Sequence, residues 1–344
     1  MNKNVTIAVA MSGGVDSSTT AYLLKKQGYN IFGVTMKTCG DEDKDAKRVC
    51  DDLGIPYYLL DATEIFKEKV MDYFVEEYKD GKTPNPCMVC NRHVKFGELL
   101  QFALDKGAQF MATGHYAKII DGDLYIGDDV NKDQAYFLSQ IKKENLKHIL
   151  FPLGGMEKPQ VRELAKELGV RVYAKRDSQE ICFVEDGKLK EFLSEKSKGA
   201  VNRPGDIVDT KGKVLGKHKG LAFYTIGQRK GIGIATENPI YVLKLDSKTN
   251  RVIVGTNEEL MKSYLVAENL NLLTVEKLED LNDIHCFAKT RSRDKLHPCR
   301  IQVINENLIK VHFTEDKVRA VTPGQGVVFY DKDGKVIASG FIKD

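Results

Sequence analysis

The sequence predicts an α/β fold built on a parallel sheet, followed by two smaller β-rich domains, and three observations predict it. Apolar, β-branched runs alternate with helix-period segments in the first third of the chain. A glycine-rich turn joins the first strand to the first helix. Beyond Pro204 the helical pattern gives way to short strands punctuated by turn residues.

Val5 to Ala10 reads as a buried strand. A helix follows from about Ser17 to Gln27, with Ala21, Leu23 and Leu24 on its apolar side and Gly28 placed to end it. Ile31–Met36 is a second strand, Asp45–Leu53 a helix stopped by Gly54, and Tyr57–Leu60 a third strand. A longer helix runs from about Thr63 to Tyr78, then a stiff proline-containing loop to Asn91, a helix from Phe96 to Lys106, and a fourth strand from Phe110 to Thr113. Ligands of such sheets sit at the carboxyl ends of the strands. Lys158–Leu168 is the last strong helix, opening with Pro159. The polar Ser194–Gly199 marks a boundary, and a weaker one falls near Gly255 to Ser263. Cys286–Thr290, Cys299–Ile304, Ile309–Phe313 and Gly326–Tyr330 read as strands of a small antiparallel barrel.

The chain has 344 residues, too many for one ordinary domain, and its 42% hydrophobic and 29% charged composition is that of a globular protein. No apolar run approaches the roughly 20 residues of a membrane span. Val5–Met11 is too short for a signal-peptide core, so the expectation is a cytoplasmic protein without a membrane partner. The net charge of +3 identifies no partner; local clustering matters more. Seven cysteines without a secretion signal argue against a disulfide framework.

Ser12-Gly13-Gly14-Val15-Asp16-Ser17 lies between a strand and a helix, where glycines let the backbone approach an anion and the helix N-terminus favours it. No G-K-[S/T] follows, and the spacing is not that of a dinucleotide fold. The hydroxyls of Ser12, Ser17 and Ser18 can donate, and Asp16 can hold Mg²⁺. A plain βα turn capped by Ser17 is the bland alternative. The loop resembles the S-G-G-x-D-S pyrophosphate loop of the PP-loop ATP pyrophosphatases. That resemblance implies an adenine nucleotide alpha hydrolase-like domain that releases pyrophosphate from ATP and leaves an adenylated substrate.

Thr83-Pro84-Asn85-Pro86-Cys87-Met88-Val89-Cys90-Asn91 carries two thiols at C-x-x-C spacing; Cys182 is a third candidate, with Lys175 and Arg176 near in sequence to favour its thiolate. Three readings stand open for Cys87 and Cys90: no chemical role, a zinc site with His93 but no evident fourth ligand, or sulfur chemistry.

These segments carry a closer resemblance. Ala10–Ser17, Thr83–Pro86 with Cys90-Asn91, Thr113–Tyr116, Asn131–Leu138, Ser178–Phe183, Thr225–Gly233 and Val321–Gln325 are similar, in order along the chain, to the tRNA-specific 2-thiouridylases. Members replace the C2 oxygen of the wobble uridine 34 by sulfur. The resemblance implies domains at 1–197 (PP-loop, catalytic), 198–258 (central, mainly β, tRNA-binding) and 259–344 (β-barrel). It implies ATP contacts from Ala10, Met11, Ser12, Gly13, Gly14, Val15, Asp16, Ser17, Met36 and Gly114, with Cys90 as nucleophile and Cys182 as persulfide carrier. Asn85, Pro86 and Cys87 would lie beside the target base, while Lys132, Asp133, Gln134, Arg291 and Ser292 would contact tRNA. It further implies a cysteine desulfurase or sulfur-carrier partner and, as substrates, the Lys, Glu and Gln tRNAs. Many members have Asp in place of Cys87. With Cys87 present, Cys87, Cys90 and Cys182 make a triplet that in related sulfurtransferases holds a [4Fe–4S] cluster, and this favours a cluster modestly over a persulfide. Ser292 stands where an aromatic is common.

The chemistry is coherent. The C2 carbonyl of uracil is a poor electrophile, and adenylating its oxygen makes AMP the leaving group. Sulfur then attacks C2, with Cys90 releasing it from a Cys182 persulfide as a disulfide, or with cluster-bound sulfide as donor. Between Asp209 and Glu237 there is no acidic residue, whereas Lys211, Lys213, Lys217, Lys219, Arg229 and Lys230 all occur, a charge excess suited to phosphates or merely a solvated face. Lys289, Arg291 and Arg293 form a second basic patch, and uridine 34 would be flipped toward the cysteines. His115 either lines the ATP site or is structural. Two other functions compete: a PP-loop ligase that amidates a small molecule, which needs no paired thiols, and a non-catalytic RNA-binding protein held by a structural metal.

Overall fold

The computed structural model describes residues 5–39, 43–173 and 181–344. The first domain alternates strand and helix: β1 (Thr6–Ala10), α1 (Val15–Lys26), β2 (Asn30–Lys37), α2 (Asp43–Leu53) and β3 (Tyr57–Asp61). A continuous helix follows as α3 (Thr63–Phe66), a π-helical stretch Lys67–Asp72, and α4 (Tyr73–Lys79). Next come α5 (Pro86–Cys90), a second π-helical stretch Asn91–Leu99, α6 (Leu100–Asp105) and β4 (Phe110–Ala112). A hairpin of β5 (Ala117–Ile120) and β6 (Asp123–Ile126) precedes α7 (Ala135–Leu138), α8 (Lys143–Leu146), β7 (Ile149–Leu150), α9 (Lys158–Glu167) and α10 (Leu189–Lys196). The sheet order is β3-β2-β1-β4-β7, all parallel. The β1–α1 turn and the end of β2 therefore meet at the carboxyl edge, where the order reverses around β1.

The central domain is a four-stranded sheet, β8 (Gly205–Val208), β9 (Val214–His218), β10 (Tyr241–Asp246) and β11 (Arg251–Gly255), in the order β10-β11-β8-β9. Its core gathers Ile207, Leu221, Tyr224, Val242 and Val252. The last domain begins with β12 (Met261–Lys262) and continues with β13 (Tyr264–Leu272), β14 (His285–Lys289), β15 (His297–Asn305), β16 (Leu308–Phe313), β17 (Val318–Arg319), β18 (Gly326–Tyr330) and β19 (Val336–Ile342). Six of these close an antiparallel barrel, β13-β16-β15-β14-β18-β19.

The barrel is not a loose appendage. Leu273, Val328, Tyr330 and Val336 belong to the same apolar core as Ala8, Val34, Met88, Phe96 and Tyr136 of the first domain. A buried polar junction ties them further: Asn271 Nδ2 donates to the Ser139 and Ile141 carbonyls at 2.8 and 2.7 Å, while its Oδ1 accepts from Arg92. Cys286 and Cys299 face each other across β14 and β15, buried with sulfurs 3.6 Å apart, and Cys50 is fully buried behind the main sheet, so these three are packing residues.

Three expectations need correction. The stiff loop expected from Thr83 to Asn91 is extended only to Asn85; α5 begins at Pro86, with Asn85 as N-cap accepting from the Met88 N–H and proline at the first turn. The helix expected from Phe96 therefore starts ten residues earlier. The strands β13 and β19 and the hairpin β5–β6, absent from the sequence reading, complete the barrel and flank the site.

Candidate active site

The β1–α1 turn is shaped for an anion. Gly13 has φ +67°, which L side chains avoid, and a Cβ there would lie 2.6 Å from the Asp45 Cβ. Gly14 is the N-cap of α1 without a side-chain cap, so the first-turn N–H groups have no competing acceptor from the cap. Ser17 is not that cap: its Oγ lies 3.2 Å from both the Ser12 N–H and the Ser12 Oγ, and donates to the Gly14 carbonyl. Ser18 Oγ, fully buried in α1, has no hydrogen-bond partner. Met11 is buried, its N–H bonded to the Val34 carbonyl, and Ala10 and Val15 frame the turn. Met36 lies on β2 beside the cysteine helix, in the cluster that holds Cys90. Gly114 closes the turn from β4: a Cβ there would meet the Asp16 carbonyl carbon at 2.7 Å and the Ser17 nitrogen at 2.8 Å.

Asp16 is ion-paired. Lys158 Nζ is 2.8 Å from both of its carboxylate oxygens, and Tyr116 Oη donates to it at 2.9 Å. Mg²⁺ ligation by Asp16 would therefore share the carboxylate with Lys158. Lys158, the first residue of α9, brings an ammonium to the N-terminus of α1. Sequence reading saw the helix and missed this residue; a lysine beside Pro159 gave no local sign of pointing across the sheet.

Cys87 and Cys90 sit on α5, one turn apart. Cys87 reaches the surface, while Cys90 is 7% exposed, packed with Met36, Leu60, Phe66 and Val94. The helix continues from Cys90 directly into the π-helical Asn91–Leu99, a distortion that recurs at functional sites. Cys182 comes to this place on an irregular segment whose next residue, Phe183, packs into the Cys90 cluster. The Phe183 ring lies 5.6, 5.3 and 5.5 Å from those of Phe66, Phe74 and Phe192. Lys175 and Arg176, with Ser178-Gln179-Glu180, lie outside the described residues.

The thiols act on one another. Cys182 reaches the surface, yet protein packed around its sulfur pushes its pKa up to about 12; the charges of Cys90 and Cys87 push the same way, and Lys95 opposes them. Burial raises the Cys87 thiol as well, again against Lys95. Cys39, just past β2, also acts on Cys182, a neighbour that nothing in the sequence singled out. Among the described residues no three His, Cys, Asp or Glu side chains converge as a metal-holding group. Cys87, Cys90 and Cys182 are near enough to act on one another electrostatically but are not gathered as a metal-holding group, and neither are Cys87, Cys90 and His93.

Of the residues expected to face RNA, several are used internally. Asn85 and Pro86 are buried, leaving Cys87 as the exposed side chain of that turn. Asp133 has only 4% of its side chain exposed; its Oδ1 accepts from the Gly127 and Ala135 N–H groups, and Lys289 lies 3.9 Å from Oδ2. Gln134 Oε1 accepts from the Tyr116 N–H. Asp133 and Gln134 thus shape the turn on which half-buried Lys132 stands. Arg291 donates through one nitrogen to the Ala320 carbonyl and Thr322 Oγ1, and Ser292 beside it is half-buried. In the central domain Lys217 pairs with Asp206, while Lys211, Lys213, Arg229 and Lys230 are exposed. His115 is structural: it lies between the Phe96 and Phe151 rings, 2.7 Å from Thr113 Oγ1, and burial holds its pKa well below the usual value. No helix among the described residues is long and apolar enough to cross a membrane.

Comparison with known proteins divides the chain in three. Residues 5–186 match a family model described as a tRNA methyl transferase HUP domain, 190–256 a tRNA methyl transferase PRC-barrel domain, and 262–342 an aminomethyltransferase beta-barrel domain. The chain is 64% identical over 342 residues to tRNA-specific 2-thiouridylase MnmA 1 of Fusobacterium nucleatum, covering 99% of this chain and 94% of that protein. It is 45% identical over 363 residues to tRNA-specific 2-thiouridylase MnmA of Clostridioides difficile, covering 100% and 99%. A solved structure of the U34-tRNA thiolase NcsA from Methanococcus maripaludis with its [4Fe-4S] cluster is similar at 19% identity and a TM-score of 0.36, over 57% of this chain and 67% of that one. So distant a likeness carries no argument about the thiols.

Proposed function

The chain belongs to the tRNA-specific 2-thiouridylases, transferases that modify tRNA uridine, and from that premise we propose how its residues divide the work. MgATP binds with its phosphates over Gly13, Gly14 and the first turn of α1, where Ser12 and Ser17 donate and Lys158, shared with Asp16, brings its ammonium beside them. Mg²⁺ enters with the nucleotide rather than through Asp16. Met36 and Gly114 border the adenosine, and Gly114 keeps the loop in place by having no side chain.

The C2 oxygen of uridine 34, flipped from the anticodon loop, attacks the α-phosphorus and pyrophosphate leaves. Lys132, Arg291, Ser292 and the exposed lysines and Arg229 of the central domain hold the tRNA backbone. Cys182 carries a persulfide whose outer sulfur attacks C2 as AMP departs with the C2 oxygen. Cys90 attacks the Cys182 sulfur, breaks the S–S bond to the transferred atom and forms a Cys90–Cys182 disulfide. The two thiols lose two electrons, the sulfane sulfur gains them as the thiocarbonyl, and a dithiol reductant resets the pair.

The persulfide route rests on one observation: Cys182 is held within electrostatic reach of Cys90 by Phe183, at the edge of the sheet that carries the phosphate loop. Cys87 acts on Cys182 as well, so a cluster held by the three thiols is the second reading. The substrates are uridine 34 of the Lys, Glu and Gln tRNAs, the sulfur comes from a cysteine desulfurase directly or through a carrier, and the enzyme works in the cytoplasm. Iron-free protein given unmodified tRNA, ATP and a desulfurase should form 2-thiouridine with equal AMP and pyrophosphate; absence of product that iron reconstitution restores would overturn the persulfide route.

A further inference from the structure

The Val321-Thr322-Pro323-Gly324-Gln325 segment matches the family, yet the reaction gives it no part. In the fold it bridges β17 and β18 and lies against the extended chain that leads into the cysteine helix. The Thr83 N–H donates to the Pro323 carbonyl at 2.9 Å. Gln325 Nε2 donates to the Thr83 carbonyl at 2.8 Å and approaches the Pro84 carbonyl at 3.4 Å.

These carbonyls flank Pro84, in a stretch with neither helix nor strand pairing, and a side-chain amide can serve both. Gly324 has φ +88°, and a Cβ there would stand 3.1 Å from Lys82 Cβ and the Thr83 carbonyl, so the segment fits only as glycine. At Gly326 a Cβ would run into Met88 Sδ, and Tyr136 Oη donates to the Gly326 carbonyl at 2.9 Å. The segment is itself anchored to β19, with the Gly324 N–H on the Ile342 carbonyl and the Ile342 N–H on the Gln325 carbonyl. Its other end receives Arg291, through Ala320 and Thr322.

We propose that Gln325 is a positioning residue for sulfur transfer: residues 320–326 of the barrel clasp Thr83–Asn85, fix where Cys87 and Cys90 stand, and link that position to Arg291. The inference rests on the thiolation reading for its catalytic consequence, though the clasp itself does not. A phosphate held at Arg291 bears on the same strap that sets the thiol helix, so bound tRNA and the sulfur site share one mechanical element.

The test compares Gln325→Ala and Gln325→Glu with wild type; the Glu variant keeps the side chain's shape but cannot donate to Thr83. Three quantities are read: single-turnover pyrophosphate release, 2-thiouridine formation, and iodoacetamide labelling of Cys87 without substrates. Misplacement of the thiols should lower the thiolation kcat in both variants by up to about 100-fold, with KM for ATP and tRNA and the pyrophosphate burst unchanged. Cys87 labelling should rise several-fold. Wild-type thiolation and labelling in both variants would overturn the clasp. So would equal loss of pyrophosphate release and thiolation, or failure of both variants to fold, since either makes Gln325 a structural residue only. If wild type makes no 2-thiouridine while labelling still responds, the functional reading falls and the clasp stands.

Discussion

Lys158 Nζ bridges both carboxylate oxygens of Asp16 at 2.8 Å, joining the first residue of α9 to the first turn of α1 across 142 positions of sequence. The lysine side chain is 9% exposed and the aspartate 29%, so the ammonium is largely withdrawn from water while the carboxylate keeps one edge in it. Removing one partner of a buried pair leaves an uncompensated charge. Lys158→Met should lower kcat/KM for ATP by about 100-fold or more while leaving the affinity for tRNA within twofold. Pyrophosphate release and tRNA binding, measured separately, check this; an unchanged ATP dependence would remove Lys158 from the phosphate site.

The pH dependence of thiol reactivity follows from the crowding at Cys182. A thiol pushed up to about 12 is protonated at neutral pH, and only its thiolate is nucleophilic. Alkylation of Cys182 in the sulfur-free enzyme should thus rise about tenfold per pH unit from pH 7 to 9 without levelling. Lys95→Met removes the charge that opposes the shift and should slow labelling at every pH. Peptide mass spectrometry after timed iodoacetamide exposure reads both, and a plateau below pH 8 would contradict the assignment.

The parts legible in sequence were those set by local rules. Gly13 and Gly14 between an apolar strand and a helix announced an anion loop, and β-branched runs announced a parallel sheet. The barrel's Gly326–Tyr330 strand falls at the bounds its sequence indicates. What sequence could not give depends on tertiary placement. Asp133 entered as a tRNA contact through the resemblance alone, and only the fold shows its carboxylate capping the turn after β6. Cys39 looked like an isolated cysteine, and only the meeting of β2 with the Cys182 segment makes it a neighbour of the site. Cys87 and Cys90 were misplaced in a loop because two prolines argued for extension. Asn85 and Pro86 instead start a helix there.

The junction between barrel and catalytic domain depends on Asn271, which satisfies two carbonyls and accepts from Arg92 while only 7% exposed. Asn271→Ala should cost about 2 kcal/mol, because it leaves the buried Ile141 carbonyl without its amide donor, while Arg92 keeps Gln140 and the Ser139 carbonyl keeps Ser339. A lowered urea midpoint should accompany faster hydrogen exchange along β13. A variant as stable as wild type would mean the shared apolar core alone holds the barrel.

The division of labour between Cys182 and Cys90 is tested most directly by one single-turnover measurement. Enzyme is loaded with radiolabelled persulfide sulfur, freed of iron, and mixed with ATP and unmodified tRNA. Label should leave Cys182 for tRNA, with one Cys90–Cys182 disulfide formed per 2-thiouridine, and should stay on Cys182 in Cys90→Ser. Thiolated tRNA appearing while both cysteines stay reduced, or at the wild-type rate in Cys182→Ser, would contradict that division.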